Sequence, residues 1–232
     1  ESMNLARVKF KHLGKFAAAA AIAFAFQNCS NVGFSTSAGS GNVTGQGGGG
    51  GGGGGSSCAT QLQMITTPVK LLFVLDASGS NAGLTDPPST PTDLNKVVRA
   101  GSIQQFFNDY SAKPNFYWGM IYFQEDFASA IINSGNTANP IFSSNSSVMQ
   151  NAITAFQNVA DQGQTPYEAA ISMASKAISS DTAVTSDTKY IVVFLSDGMP
   201  YPDPGDGVLI PELQSLLNLR PGRICFNTVY YG

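Results

Sequence analysis

The sequence predicts an α/β fold: a doubly wound, mostly parallel central sheet with helices on both faces. Two nearly continuous apolar runs, at residues 69–75 and 190–195, are typical of central strands that are buried on both sides. Segments with helical spacing of apolar residues separate the strand-like runs, and this order favours parallel strands joined by helices. Nine consecutive glycines at residues 47–55 cannot bury enough apolar surface to fold. We therefore expect the folded domain within residues 58–232.

Each element follows from its own pattern. The strand-like runs are rich in β-branched and aromatic residues, which favour extended structure. We expect strands at residues 69–75, 116–123, 190–195 and 224–231, with a weaker one at 128–133. The helical segments place apolar residues three and four positions apart. We expect helices at residues 93–110, 148–157, 167–178 and 211–219. The helix at 167–178 has the cleanest apolar stripe, whereas the helix at 93–110 has two stripes that are out of phase.

Residues 1–28 have the order of an export signal. Basic residues come first, and an apolar run of 11 residues at 16–26 follows. This run is shorter than the roughly 20 residues that cross a bilayer. Cys29 comes just after it, which resembles the signal of bacterial lipoproteins, and that resemblance implies a lipid on Cys29 and, with Ser30 next to it, the outer membrane. The alternative is an ordinary secretory signal with an incidental cysteine.

Residues 29–57 are mostly Gly, Ser, Asn and Thr, which is typical of a flexible tether with an r.m.s. reach of about 30 Å. Two further cysteines, Cys58 and Cys225, stand at the start of the folded region and in the last expected strand. An exported protein enters an oxidising compartment, so these two cysteines form a disulfide or remain as two buried thiols. The sequence leaves both alternatives open.

Charge and histidine content exclude several function classes. Four of the 12 basic residues lie within residues 1–28, so the rest of the chain has 8 basic against 14 acidic residues. An acidic domain without a basic patch is not expected to bind nucleic acid. His12 is the only histidine and lies in the export signal. Removal of that signal excludes Ser-His-Asp and Cys-His catalysis and histidine-bound zinc.

Polar side chains follow the two central strands. Asp76, Ser78 and Ser80 come after the first strand, and Asp197 comes after the strand at 190–195. Thr165 stands just before the helix at 167–178. In an open parallel sheet, ligands bind beyond the carboxyl ends of the strands, where these loops meet. An oxygen-only donor set with few carboxylates suits Mg²⁺, or Mn²⁺, better than zinc, copper or a dedicated calcium cage.

These motifs, Asp-x-Ser-Gly-Ser, a later Thr-Pro before a helix, and Ser-Asp-Gly after a central strand, resemble the metal-ion-dependent adhesion site of von Willebrand factor A (vWA) domains. The resemblance covers residues 68–232 and implies a Rossmann-like vWA fold. It implies that Ser78, Ser80 and Thr165 bind the metal directly, while Asp76 and Asp197 act largely through bound water. Members of the family continue past the fifth strand with a helix, a strand and a closing helix, so the resemblance also implies that this sequence is C-terminally incomplete.

Several of these residues have simpler interpretations. Thr165 with Pro166 and Glu168 forms a capping box at the start of a helix, which is compatible with metal binding. Asp203 and Asp206 form either a calcium site or, as we expect, a solvated turn. Residues 81–92 either shape the rim of the site or are a tolerated insertion. A degenerate, purely structural version of the site is the remaining alternative.

The sequence thus predicts a membrane-tethered, divalent-metal-dependent protein-binding or adhesion module rather than an enzyme. Through Mg²⁺ it would hold an acidic group of a protein, or another anionic ligand with an exposed carboxylate. We expect it at the bacterial outer membrane, facing the periplasm or on the cell surface. The alternative is a structural or assembly scaffold lipoprotein that uses the same fold without metal-dependent binding. A metal-dependent hydrolase is disfavoured because no general base accompanies the site.

Overall fold

The computed structural model describes residues 67–231. The export signal, Cys29, the tether and Cys58 lie outside the described residues. The strands are β1 (Val69–Asp76), β2 (Phe116–Gln124), β3 (Phe127–Ala130), β4 (Lys189–Ser196) and β5 (Ile224–Tyr230). They form one sheet in the order β3-β2-β1-β4-β5, in which only β3 is antiparallel to its neighbour. The predicted α/β architecture with a mostly parallel sheet is confirmed.

The helices are α1 (Val97–Tyr110), α2 (Ser146–Gln157), α3 (Tyr167–Ser179) and α4 (Asp206–Asn218). Side chains of β1 alternate between two apolar layers: Leu71, Phe73 and Leu75 enter one layer, and Leu72 and Val74 enter the other. The first layer contains side chains of α1 and α2, and the second contains side chains of α3 and α4. Helices therefore cover both faces, as the double winding requires, and β1 is buried along its whole length.

The chain enters α1 differently from the prediction. A short 3₁₀ turn, Leu94–Lys96, comes first, and α1 begins after it. The prediction of one helix over residues 93–110 is wrong at its start because Asn95 and Lys96 adopt φ values of 60° and 56°, which interrupt a right-handed helix. The carboxylate of Asp93 accepts hydrogen bonds from two backbone amides in the first turn of α1, at 2.7 and 3.0 Å. The side chain of Asp93 therefore satisfies two free amides at the N-terminus of α1, although Asp93 itself lies before the helix.

The helix predicted at residues 211–219 begins five residues earlier, at Asp206. Pro211 was expected in the first turn, where its missing N–H is harmless, but it lies inside α4. Asp206 instead stands in the first turn, where an acidic side chain interacts favourably with the helix dipole. Asp203 Oδ1 accepts a hydrogen bond from the backbone N–H of Gly205 at 2.8 Å, as in an ordinary turn.

No helix within residues 67–231 is long and apolar enough to cross a membrane.

Cys225, in β5, is disulfide-bonded. Its partner lies outside the described residues, so the pairing with Cys58 stays a prediction.

A buried ion pair stabilises the amino edge of the sheet. Lys70, the second residue of β1, is 1% exposed, and its Nζ lies 2.6 Å from a carboxylate oxygen of Asp181. The same ammonium donates to the carbonyl of Ala183 at 2.7 Å, and the hydroxyl of Tyr190 donates to Asp181 at 2.8 Å. The pair joins β1 to the connection between α3 and β4, and each charge depends on the other for compensation.

We expect Lys70→Met to lower the free energy of unfolding by about 3 kcal/mol, because it leaves the buried carboxylate of Asp181 without its counter-ion. The double variant Lys70→Met/Asp181→Asn removes both charges and should recover most of that loss. Urea denaturation at pH 7 measures both. If the double variant loses as much unfolding free energy as Lys70→Met and Asp181→Asn lose together, this interpretation is contradicted.

Candidate functional site

Four of the five predicted metal residues lie together at the carboxyl edge of the sheet. Asp76 is the last residue of β1, and Asp197 follows the last residue of β4. Because β1 and β4 are parallel neighbours, their ends bring both carboxylates to one place. Ser78 and Ser80 stand at the start of the connection from β1 to α1, in and beside the 3₁₀ turn Gly79–Ala82.

The four side chains form a connected polar cluster. The hydroxyl oxygens of Ser78 and Ser80 are 3.1 Å apart, and Ser80 Oγ donates to Asp197 Oδ1 at 2.9 Å. The backbone N–H of Ser78 donates to Asp76 Oδ1 at 2.8 Å. Asp76, Ser78 and Asp197 are all buried. Hydrogen bonds of the two serines thus link the carboxylates at the ends of two neighbouring strands.

Thr165 lies in a third loop that backbone hydrogen bonds hold against the first. Gly79 N–H donates to the carbonyl of Gly163 at 3.1 Å. Thr165 and Tyr201 exchange two backbone hydrogen bonds, at 3.0 and 3.1 Å. Among residues 67–231, the side chain of Thr165 shares no hydrogen bond with the other four predicted residues. Its loop nevertheless adjoins theirs, and the residue is 8% exposed.

The predicted capping box at Thr165 is wrong. The residue that precedes the first turn of α3 is Pro166, and no side chain caps this helix end. The reason is that Pro166, with φ −80° and ψ 82°, is not helical, so α3 begins at Tyr167. The hydroxyl of Thr165 is therefore not committed to an amide of the helix.

Two residues that sequence analysis missed support the carboxylate of Asp76. Ser196, the last residue of β4, donates its hydroxyl to Asp76 Oδ2. The hydroxyl of Tyr167 lies 2.8 Å from Ser196 Oγ and 2.7 Å from the carbonyl oxygen of Gly198. Burial raises the pKa of Tyr167, and the nearby carboxylates raise it further. The only sequence signals were the serine of Ser-Asp-Gly and an aromatic residue at a helix start, and neither pattern is specific.

The segment at residues 81–92, whose role the sequence left open, contacts the site at both ends. The hydroxyl of Thr92 donates to Asp197 Oδ2, so both oxygens of Asp197 accept hydrogen bonds from hydroxyl groups. Asn81 Nδ2 lies 3.3 Å from the carbonyl oxygen of Ser78, and Asn81 Oδ1 accepts from the hydroxyl of Tyr231 at 2.8 Å. The insertion therefore belongs to the rim.

Arg99 of α1 lies beneath the site and is fully buried. Its guanidinium makes five hydrogen bonds, which matches its five N–H donors. It donates to both carboxylate oxygens of Asp161 at 2.9 Å, to Asp93 Oδ2 at 2.7 Å, to the carbonyl of Asp93 at 3.2 Å, and to the carbonyl of Asp76. Lys96 adds a second cation, 2.9 Å from Asp161. Sequence analysis missed this cluster because Asp76 and Asp161 lie 23 and 62 positions from Arg99 along the chain.

The site carries an electrostatic cost. Burial raises the pKa of Asp76 to about 6, and repulsion from Asp197 adds to the increase. The hydroxyl of Ser196 and the hydrogen bonds from Ser78 offset part of this effect. Two adjacent carboxylates therefore destabilise each other near neutral pH unless a cation compensates them.

The residues present fit a hard divalent cation. Two carboxylates would balance its charge, and the neutral hydroxyl oxygens of Ser78 and Ser80 adjoin them. No nitrogen or sulfur donor takes part among the residues described. The raised pKa of Asp76 also fits a cation at this position, because a bound cation would remove the free-energy penalty of burying the negative charge of Asp76.

No family model matches the chain, and no curated protein matches it. Several solved structures are similar to it. The von Willebrand factor type A protein from Catenulispora acidiphila is 15% identical with a TM-score of 0.49, over 70% of this chain and 32% of that one. The pilus adhesin SpaC from Lactobacillus rhamnosus GG is 23% identical with a TM-score of 0.41, over 58% of this chain and 16% of that one.

The vWF domain of the type V pili tip protein Mfa5 from Porphyromonas gingivalis is also similar. It is 16% identical with a TM-score of 0.42, over 59% of this chain and 40% of that one. This chain thus spans 16% to 40% of the lengths of these three proteins.

We expect Asp76→Asn to stabilise the metal-free protein at neutral pH. The pKa of Asp76 is raised from 3.8 to about 6 in the folded state, so its contribution to stability is fully present below pH 4 and is lost as pH rises through 6. The variant avoids that loss and should gain up to about 3 kcal/mol at pH 8 and almost nothing at pH 4. Urea denaturation in EDTA at both pH values measures the difference. Asp203→Asn, in an exposed turn, is the control, and an equal gain at both pH values would contradict the prediction.

Proposed function

We propose that this chain contains a vWA-type domain that binds Mg²⁺ or Mn²⁺ through Asp76, Ser78, Ser80, Thr165 and Asp197, and that it uses the metal to bind a protein partner. The observation that carries the proposal is the continuous link from Ser78 Oγ through Ser80 Oγ to Asp197, which joins the ends of β1 and β4. The proposed role is adhesion or assembly rather than catalysis, because no histidine lies among residues 67–231 and the two carboxylates of the site are proposed to balance the metal rather than to accept a proton.

The chemistry of the site residues supports a binding role. Asp76 and Asp197 bring two negative charges, enough to balance a divalent cation but not to exceed it. Ser78, Ser80 and Thr165 contribute neutral oxygens. A metal held in this way keeps an electrophilic position for a carboxylate of a partner. The partner would be a protein, or another anionic ligand, with an exposed carboxylate.

The cluster around Arg99 would keep the proposed metal residues in fixed positions relative to one another. Its hydrogen bond to the carbonyl of Asp76 fixes the end of β1, and its contacts with Asp93 and Asp161 fix the segments that lead to Thr92 and Thr165. Because the guanidinium is buried and fully hydrogen-bonded, displacement of any of these segments would leave polar groups unpaired. The loops that carry the proposed metal residues are therefore already held in place without the metal.

The N-terminal part would anchor this module to a membrane. We propose that residues 1–28 are an export signal, that Cys29 carries lipid at the outer membrane, and that residues 29–57 are a flexible tether. A tether with a reach of about 30 Å holds a domain near a membrane without fixing its orientation. We also propose a Cys58–Cys225 disulfide, which would fasten the domain entrance to β5.

We expect Asp76→Ala to lower Mg²⁺ affinity by about 100-fold or more and Ser80→Ala by at least about tenfold, since loss of even a supporting partner costs 10–100-fold. Isothermal titration calorimetry measures both. Both variants should still unfold cooperatively in EDTA, because Asp76 and Ser80 lie at the edge of the sheet and belong to neither apolar layer. Asp203→Ala, which removes a carboxylate from the turn before α4, should bind Mg²⁺ like the wild type.

Two results would contradict the proposal. Equal Mg²⁺ binding by wild type and Asp76→Ala would remove the proposed site. A wild-type protein that binds neither Mg²⁺ nor Mn²⁺ would favour the scaffold alternative, in which the domain surface acts without a metal.

The proposed anchor and disulfide can be tested by mass spectrometry of the protein isolated from its host membranes. We expect an N-terminus at Cys29 with a lipid mass, and a peptide in which Cys58 is linked to Cys225. Cys29→Ser should release the protein from the membrane. An unmodified N-terminus at another residue, with unchanged release, would refute the anchor, and a reactive thiol on Cys58 in the unreduced, denatured protein would refute the disulfide.

A further inference from the structure

Large apolar side chains are exposed to solvent in the loops that carry the candidate metal residues. Leu84, Met199 and Tyr201 are 65%, 68% and 64% exposed. These are the three most exposed large apolar side chains within residues 67–231. Leu84 lies in the connection from β1 to α1, and Met199 and Tyr201 lie in the connection from β4 to α4; we call the three side chains the apolar rim.

Each member of the apolar rim is fixed to the site by the backbone. Leu84 N–H donates to the carbonyl of Gly79 at 2.8 Å, and Gly79 stands between the two serines of the site. Met199 comes two residues after Asp197. Tyr201 exchanges two hydrogen bonds with Thr165, the third hydroxyl residue. The rim therefore borders all three loops that carry the metal residues.

An acidic groove of about 440 Å³ adjoins one side of the rim. Its lining includes Pro202, which follows Tyr201, and Gln164, which precedes Thr165. The carboxylates in its lining belong to Glu125, Asp126, Glu168 and Glu212. Glu212 Oε2 is buried without a hydrogen-bond partner among the residues described, and burial together with the charge of Glu168 raises the pKa of Glu212.

The distribution of cations leaves this groove uncompensated. Within the described part of the chain, the basic residues lie mostly toward the amino edge of the sheet: Lys70, Lys113, Lys176, Lys189, Arg220 and Arg223. The two at the carboxyl edge, Lys96 and Arg99, are buried and paired with Asp161 and Asp93. Among residues 67–231, no basic side chain is therefore placed to supply a positive charge to the acidic groove.

We propose that the apolar rim and the acidic groove form one surface for a protein partner, whose contacting segment has a carboxylate flanked by apolar side chains and a Lys or Arg to one side. This inference rests on the proposed function, which accounts for the carboxylate. The apolar side chains cover Leu84, Met199 and Tyr201, and the basic side chain enters the acidic groove. A nucleic acid or an anionic polysaccharide has neither the apolar side chains nor the basic side chain, and the acidic groove would repel it.

The test is a selection of phage-displayed random peptides on the immobilised full chain in Mg²⁺, with elution by EDTA. We expect the eluted peptides to be enriched in Asp or Glu with neighbouring Leu, Phe, Tyr or Trp, and in Lys or Arg at a constant offset. Synthetic copies are then measured by fluorescence anisotropy. Replacing their acidic residue with its amide should abolish binding, and replacing their basic residue with Glu should weaken it by about tenfold.

Variants of the chain assign each contact. The triple variant Leu84→Ser/Met199→Ser/Tyr201→Ser should lower the affinity for these peptides by about tenfold or more, with Mg²⁺ affinity within twofold of wild type. Ile141→Ser, an apolar residue that is 40% exposed in the connection between β3 and α2, is the matched control and should change neither.

The double variant Glu168→Gln/Glu212→Gln should remove the preference for a basic residue, with a loss of about fivefold in affinity. Asp109→Asn, an exposed carboxylate in the last turn of α1, is its control and should leave peptide affinity unchanged.

The outcomes separate this inference from the proposed function. Acidic peptides that elute with EDTA but show no apolar or basic preference would overturn the inference and leave metal-dependent binding intact. An absence of EDTA-eluted peptides would also overturn it, and the Mg²⁺ titration would then decide the metal site independently. Equal peptide binding by wild type and the triple variant would exclude the apolar rim.

Discussion

The arrangement of the candidate site depends on one buried cation. Arg99 is enclosed between α1 and the loops above the sheet, where its charge is tolerable only if every N–H finds an acceptor. The acceptors come from the end of β1, from Asp93 before α1, and from Asp161 before α3. These are the segments that carry or adjoin the proposed metal residues. The need to satisfy one guanidinium therefore determines how three separate loops converge.

The site above this cluster has the opposite character. Asp76 and Asp197 each accept hydrogen bonds from hydroxyl groups, and burial together with repulsion from Asp197 disfavours the charged form of Asp76. The compensated cluster below therefore supports an uncompensated pair above. Negative charge concentrated at one edge of the sheet lowers the stability of the fold, and the proposed cation would offset that loss.

The rest of the fold keeps this strained edge in place. β1 is buried on both faces by two apolar layers, so the strand that ends in Asp76 cannot move without disturbing the core. The buried pair of Lys70 and Asp181 fastens the opposite end of the same strand. The loops, in contrast, expose large apolar side chains to solvent. A binding surface requires exposed side chains on its loops and strands that hold those loops in place.

The sequence by itself determined the α/β fold, the central position of β1 and β4, and the loops that carry Asp76, Ser78, Ser80 and Asp197. These features depend on local patterns: apolar runs of strand length, helical spacing between them, and polar residues directly after the strands. Only the tertiary structure decided the cluster around Arg99, the contacts of Thr92 and Ser196 with the carboxylates, and the release of Thr165 from a capping role. Hydrogen bonds between residues 62 to 120 positions apart leave no periodic trace in a sequence. The interruption at Asn95 and Lys96 also depended on tertiary contacts, which override local helix preference where Asp93 and Lys96 join the buried cluster around Arg99.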